Sequence, residues 1–175
     1  MIAGIDTMVL IWALPVPHFK GKKSASQDVA EMQRRSRLLL GMLEEGKNNV
    51  LVPTITVAEW LTGIDPKKHG SFIASLHESF RIVPFDIPAA AFAAQLWQQA
   101  RELPKDDKPQ RVCMKADVMI VASAKMGGAT HFYSHEAKVR RLVELAGMTP
   151  HDLPTRGSNL FSELPAENMS KKKPE

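Results

Sequence analysis

Short apolar runs alternate along this chain with stretches of helical length, and that alternation limits it to very few architectures. Residues 2–5 (Ile-Ala-Gly-Ile) are the first run and end at Asp6. Val50-Leu51-Val52, Arg81 to Phe85 and Thr130 to Tyr133 follow, and Met148 to Leu153 suits a short edge strand. Residues 7–14 begin a helix that Pro15 and Pro17 cut off. Over 28–45, Val29, Met32, Ser36, Leu39, Leu40 and Leu43 recur at helical spacing, and Gly46 stops the run. Thr54 or Thr56 can cap a helix reaching Gly63, and residues 71–79 suit another. Asp86 caps an Ala-rich helix with Pro88 in its first turn. Asp117 opens the apolar segment Val118 to Met126, closed by Gly127-Gly128. Val139, Leu142, Val143 and Ala146 mark a last helix over 136–146.

This order predicts an α/β fold: a single-domain three-layer α/β/α sandwich with a mainly parallel four- or five-stranded sheet. The domain is expected over residues 1–156, followed by a polar, disordered tail over 157–175. A chain of 175 residues buries enough surface to fold without staples. Its single Cys113 excludes a disulfide framework and a Cys-based zinc site. No apolar run approaches the ~20 residues of a membrane span, and Met1 to Leu14 lacks a basic leader. A reduced, cytoplasmic setting without membrane association is the expectation.

Parallel sheets place their sites at the carboxyl ends of the strands. Asp6 follows the first strand, Glu59 lies in the helix after the second, Asp117 precedes the fourth, and Glu136 follows it after Ser134 and His135. Four carboxylates gathered at one edge repel one another unless protons or cations intervene. A hard divalent cation, magnesium or manganese, suits oxygen donors best. Each acid also has a structural reading. Asp6 and Asp117 can serve as helix N-caps. Glu59 can be an exposed salt-bridging residue, although Val57, Trp60 and Leu61 around it suggest partial burial. Glu136 can simply suit the helix dipole, with Ser134 as the cap.

Four segments carry a family resemblance. Gly4-Ile5-Asp6-Thr7-Met8-Val9-Leu10-Ile11 resembles the opening of PIN-domain nucleases. Pro53-Thr54-Ile55-Thr56-Val57-Ala58-Glu59-Trp60 resembles their second acidic segment, Lys115 to Ala124 their third, and Phe132-Tyr133-Ser134-His135-Glu136 their fourth. The resemblance spans residues 1 to about 154, and the subgroup it is most similar to is the VapC-type toxins of toxin–antitoxin pairs. It implies a PIN-like sandwich and a Mg²⁺- or Mn²⁺-dependent endoribonuclease acting on an RNA substrate. It also implies an antitoxin protein as partner and a homodimer. Carried over, Asp6, Glu59, Asp117 and Glu136 would hold metal, and Thr7 and Ser134 would assist through hydroxyls or bound water. The family's fourth acid is usually Asp, and here it is Glu136, one methylene longer. The alternative is therefore a catalytically degenerate PIN-like module that binds RNA or a protein without cleavage. A phosphotransfer domain using a single Asp fits less well, because Met8 stands where a second Asp is common.

The chain carries 23 Lys and Arg against 19 Asp and Glu, for a net charge of +4. In the tail, Lys171, Lys172 and Lys173 balance Glu163, Glu167 and Glu175, so the excess belongs to the domain. Setting four site acids aside leaves +8 on the rest, a charge balance suited to a polyanionic partner. Candidate backbone contacts are Lys20, Lys22, Lys23, Arg34, Arg35, Arg37, Arg111, Lys115, Arg140 and Arg141, with Lys115 favoured for its place before Asp117. Taken singly, each reads rather as part of a solvated helix face. His131 and His135 lack a third ligand for zinc. Trp12, Trp60, Trp97 and Cys113 read as core.

Overall fold

A computed structural model of the chain describes residues 1–14, 27–103 and 113–155. Five strands form one sheet: β1 (Ile2–Ile5), β2 (Asn49–Pro53), β3 (Arg81–Val83), β4 (His131–Tyr133) and β5 (Thr149–His151). Their order is β3-β2-β1-β4-β5, and every neighbouring pair is parallel. Among the described residues, seven α-helices connect them: α1 (Thr7–Ala13), α2 (Gln27–Glu45), α3 (Thr54–Leu61), α4 (His69–Ser79), α5 (Ile87–Arg101), α6 (Cys113–Met126) and α7 (Ala137–Leu145). The three-layer α/β/α sandwich read from the sequence is the observed fold.

The central strands β1, β2 and β4 bury apolar side chains on both faces because both faces are covered. Along β2, Leu51 enters one core and Val52 the other; along β4, Phe132 and Tyr133 divide the same way. One core joins Leu51 and Phe132 to Leu96, Ile120, Val121 and Leu142 of α5, α6 and α7. The opposite core joins Ile5, Val52 and Tyr133 to Leu10, Leu39, Leu43 and Trp60 of α1, α2 and α3. Gly4 lets α6 sit close to the sheet: a Cβ there would stand 2.5 Å from Phe132 Cδ2 and 3.0 Å from Ala124 Cβ.

Several local expectations need correction. Helix α6 begins at Cys113, so Asp117 lies in its second turn and is not an N-cap. Helix α3 starts behind Pro53 with no side-chain cap. Thr54 Oγ1 instead accepts from the Phe85 amide at 3.2 Å, and Thr56 is fully buried. Trp60 is a core residue, whereas Trp12 and Trp97 are only half-buried. Residues 15–26, the Cys113 side chain and residues 157–175 lie outside the described residues.

The strand order fixes where a site can form. The chain leaves β1 toward β2 and β3, then returns to build β4 and β5 on the other side. A crevice opens beyond the carboxyl ends of adjacent strands where the winding reverses. Here those strands are β1 and β4, and the residues that follow them are Asp6 and Ser134.

Candidate functional site

Asp6 sits where β1 becomes α1 and is only 5% exposed. Its backbone N–H donates to the Tyr133 carbonyl at 3.1 Å, which carries the parallel pairing one residue past the strand. Its carboxylate is held twice. Oδ1 accepts from the Thr7 amide at 2.7 Å, as an N-cap does. Oδ2 accepts from Ser134 Oγ at 2.7 Å. Ser134 is fully buried, and its hydroxyl also accepts from the Glu136 amide at 3.1 Å. A second hydroxyl orients a second acid: Thr7 Oγ1 donates to Glu59 Oε2 at 2.5 Å. Glu59 is half-buried, as its apolar flanks indicated.

The acids share one electrostatic field. Burial, opposed by the Ser134 and Thr7 hydrogen bonds, pushes the Asp6 carboxyl up to about 6, with the negative charges of Glu136 and Glu59 adding to the rise. Asp117 is pushed up to about 7, first by burial and then by Asp6, Glu136 and Glu59. So Glu59 of α3 and Glu136 of the β4–α7 loop both act electrostatically on Asp6 and on Asp117 of α6, and no basic group is among the causes that set these two shifts. Glu136 is the outlying member, exposed at the N-cap of α7. Among the described residues, no three His, Cys, Asp or Glu side chains stand close enough to share one ion as they are. The four acids share an electrostatic field without forming a ligand cluster. An all-oxygen, carboxylate-rich donor set short of positive charge fits a hard divalent cation.

The basic candidates behave differently. Arg35 is 8% exposed and donates to the Leu153 and Pro154 carbonyls and to Asp152. Arg34 pairs with Glu31, Arg141 with Glu144, and Arg37 donates to the Ala13 carbonyl. Arg140 is tied to the β4–α7 loop. Lys115 is exposed, yet two positions along a helix point to different faces, so it does not flank Asp117. Lys20, Lys22, Lys23 and Arg111 lie outside the described residues. His131 and His135 do not converge: His131 stacks on His151, and His135 hydrogen-bonds Asp152. Asp152 escaped the sequence reading altogether. It follows the three-residue edge strand β5, and no motif marks it.

The PIN domain family profile matches residues 5–145, from the end of β1 to the end of α7. The chain belongs to the PIN domain family. The matched span contains all four acids of the crevice, Thr7 and Ser134. No curated protein matches this PIN domain. Among solved structures, its fold is similar to that of VapBC2 from Rickettsia felis bound to a DNA fragment from its promoter. That likeness has a TM-score of 0.55 and 14% identity, and covers 88% of this chain and 100% of the other. The fold is also similar to DNA-bound VapBC from Salmonella typhimurium, with a TM-score of 0.53, 16% identity, and coverage of 88% and 99%. At such identities the likeness is one of fold.

Proposed function

We propose that this PIN domain is a Mg²⁺- or Mn²⁺-dependent endoribonuclease and the toxin of a VapC-type toxin–antitoxin pair. The observation that carries the reading is the electrostatic coupling of Glu59 and Glu136 to Asp6 and Asp117, with Asp6 and Asp117 held well above the usual carboxylate range. The cost of burying these charges beside one another falls when a divalent cation binds. Asp6 and Asp117 would hold the metal most directly, with Glu59 and Glu136 completing the oxygen donors. When bound, such ions activate water for attack on phosphorus and neutralise charge on the departing oxygen. Ser134 keeps Asp6 aimed into the crevice, and Thr7 does the same for Glu59. The likeness to VapBC folds supports an antitoxin chain as partner. A homodimer and a cytoplasmic location complete the proposal; no described helix is long and apolar enough to cross a membrane.

The deciding experiment incubates a structured RNA pool with wild-type protein and Mg²⁺ or Mn²⁺, beside Asp6→Asn and an EDTA control. Cleavage by wild type alone, lost in both controls, is expected. A folded wild type that binds the RNA and leaves it intact under both metals would overturn the nuclease reading. It would favour a non-cutting module, for which the exposed, longer Glu136 side chain is the structural argument.

A further inference from the structure

The turn between β4 and α7 is held by one side chain. Three consecutive carbonyls, of Ser134, His135 and Glu136, all accept from Arg140. Its Nη1 donates to the Ser134 oxygen at 2.9 Å and to the His135 oxygen at 2.7 Å, and its backbone N–H donates to the Glu136 oxygen at 3.0 Å. The same Nη1 lies 3.7 Å from Asp152 Oδ2, and the Arg140 side chain is only 25% exposed. Asp152 is fixed in turn. Its Oδ1 accepts from His135 Nδ1 at 3.0 Å, from the Leu153 amide at 2.6 Å and from Arg35 Nη2 at 3.3 Å. Arg35 reaches out of α2 to the carbonyls that follow β5, so Asp152 is presented on an anchored segment.

Ser134 is bonded through every polar atom it has. Its N–H donates to the His151 carbonyl at 3.0 Å, its carbonyl accepts from Arg140, and its hydroxyl joins Asp6 to the Glu136 amide. The direction of that hydroxyl therefore follows from the path of the backbone at 134–136. Both Nη1 hydrogens of Arg140 serve that path. We infer that Arg140, seated by Asp152, is a positioning residue that sets the Ser134 hydroxyl on Asp6. The catalytic consequence rests on the nuclease reading above; the structural consequence does not.

The test uses the full chain as Arg140→Gln, Arg140→Lys, Ser134→Ala, the Ser134→Ala/Arg140→Gln double variant and Asp152→Asn, read in two ways. Amide hydrogen exchange at Glu136, whose N–H rests on Ser134 Oγ, needs neither RNA nor metal. It should speed up about tenfold in Arg140→Gln and recover in part with Lys, whose single nitrogen can also bridge several oxygens. RNA cleavage by Arg140→Gln should lose about 10- to 100-fold in kcat, the range for residues that orient metal-site ligands. KM and the salt dependence of RNA binding should be unchanged. The double variant should be no slower than Ser134→Ala. A raised KM and a salt slope shallower by about 0.7–1, with kcat kept, would make Arg140 a phosphate contact and overturn the inference. Unaltered exchange at Glu136 would also overturn it. If Arg140→Gln does not fold, Asp152→Asn carries both readouts, with smaller changes in the same directions. If wild type cleaves no RNA, the nuclease reading fails on its own account, and exchange at Glu136 alone decides the positioning role.

Discussion

Asp6→Asn should make the metal-free protein more stable at pH 8, although it removes a residue proposed to bind metal. Asp6 is 5% exposed, and its carboxyl rises from 3.8 to about 6 on folding, chiefly through burial. The folded state therefore holds the proton more tightly than the unfolded chain does. Stability from this group is complete below about pH 4 and is lost as pH rises through 6. A rise of about two decades in proton affinity corresponds to a cost of about 3 kcal/mol once the carboxylate is fully charged. Asparagine avoids that charge and keeps the cap, because its Oδ1 still accepts from the Thr7 amide. Its amide would face Ser134 Oγ, which must then accept where it now donates, an exchange costing about 1 kcal/mol. The net gain at pH 8 is about 2 kcal/mol, or roughly 4–8 °C in melting temperature for a domain of this size. Thermal melts in EDTA from pH 4.5 to 8.5 would show the gap opening through pH 6 and closing below pH 5. Adding Mg²⁺ should raise the wild-type melting temperature, by about 2.7 kcal/mol of stability at a hundred times its Kd, and leave the variant unmoved. A variant no more stable than wild type at pH 8, or a gap independent of pH, would refute the reasoning.

Other outcomes follow from the same geometry. Gly4→Ala forces a Cβ to 2.5 Å from Phe132 Cδ2 and should cost about 1–3 kcal/mol, read as a lower denaturation midpoint in urea. Arg35→Met keeps the bulk but strands the buried Leu153 and Pro154 carbonyls. A loss of about 2–3 kcal/mol is expected, with protease sensitivity rising after β5. In the cleavage assay, Asp117→Asn should lower the rate by about 100-fold or more, and Glu136→Ala by about tenfold or less, because Glu136 is exposed at the rim. Equal losses would make Glu136 a full member of the site.

The fold was legible because both faces of the sheet are covered. A strand such as Val50-Leu51-Val52, buried on both sides, reads as an unbroken apolar run, and its helices show a single apolar stripe. The acids were legible because a parallel sheet confines its site to the strand ends, and three of the four follow a strand or lie in the helix just after one. The start of α6 was not. Its first turn, from Cys113 to Ala116, is interrupted by Lys115, so the helix seemed to begin at Asp117, where an N-cap residue precedes the unbroken apolar run. Thr56 was invisible as a core residue because a small hydroxyl suits a cap and a helix interior alike. Which arginines the fold already uses was legible only in part: Arg34 and Arg141 meet acids three positions away, whereas other partners are far away in the chain. Arg35 meets Asp152 117 positions later, and neither local spacing nor net charge records such a pair. A basic surplus counts charges, and says nothing of which ones the fold has already used.

The two readings of Asp6, helix cap and metal ligand, compete in the sequence and need not compete in the protein. An ionised carboxylate offers about four acceptor directions. The Thr7 amide occupies one on Oδ1, and the Ser134 hydroxyl one on Oδ2, which leaves a direction on each oxygen. The cap is the means of aiming the rest. It ties the carboxylate to the first turn of α1, and the hydroxyl ties it to the adjacent strand, so the remaining lone pairs are oriented by two elements of a rigid sheet. Burial makes those free directions costly to leave empty, which is why the proton affinity rises. The arrangement is stable with a proton and strained without one. A divalent cation would relieve the same strain at neutral pH, where the proton no longer does.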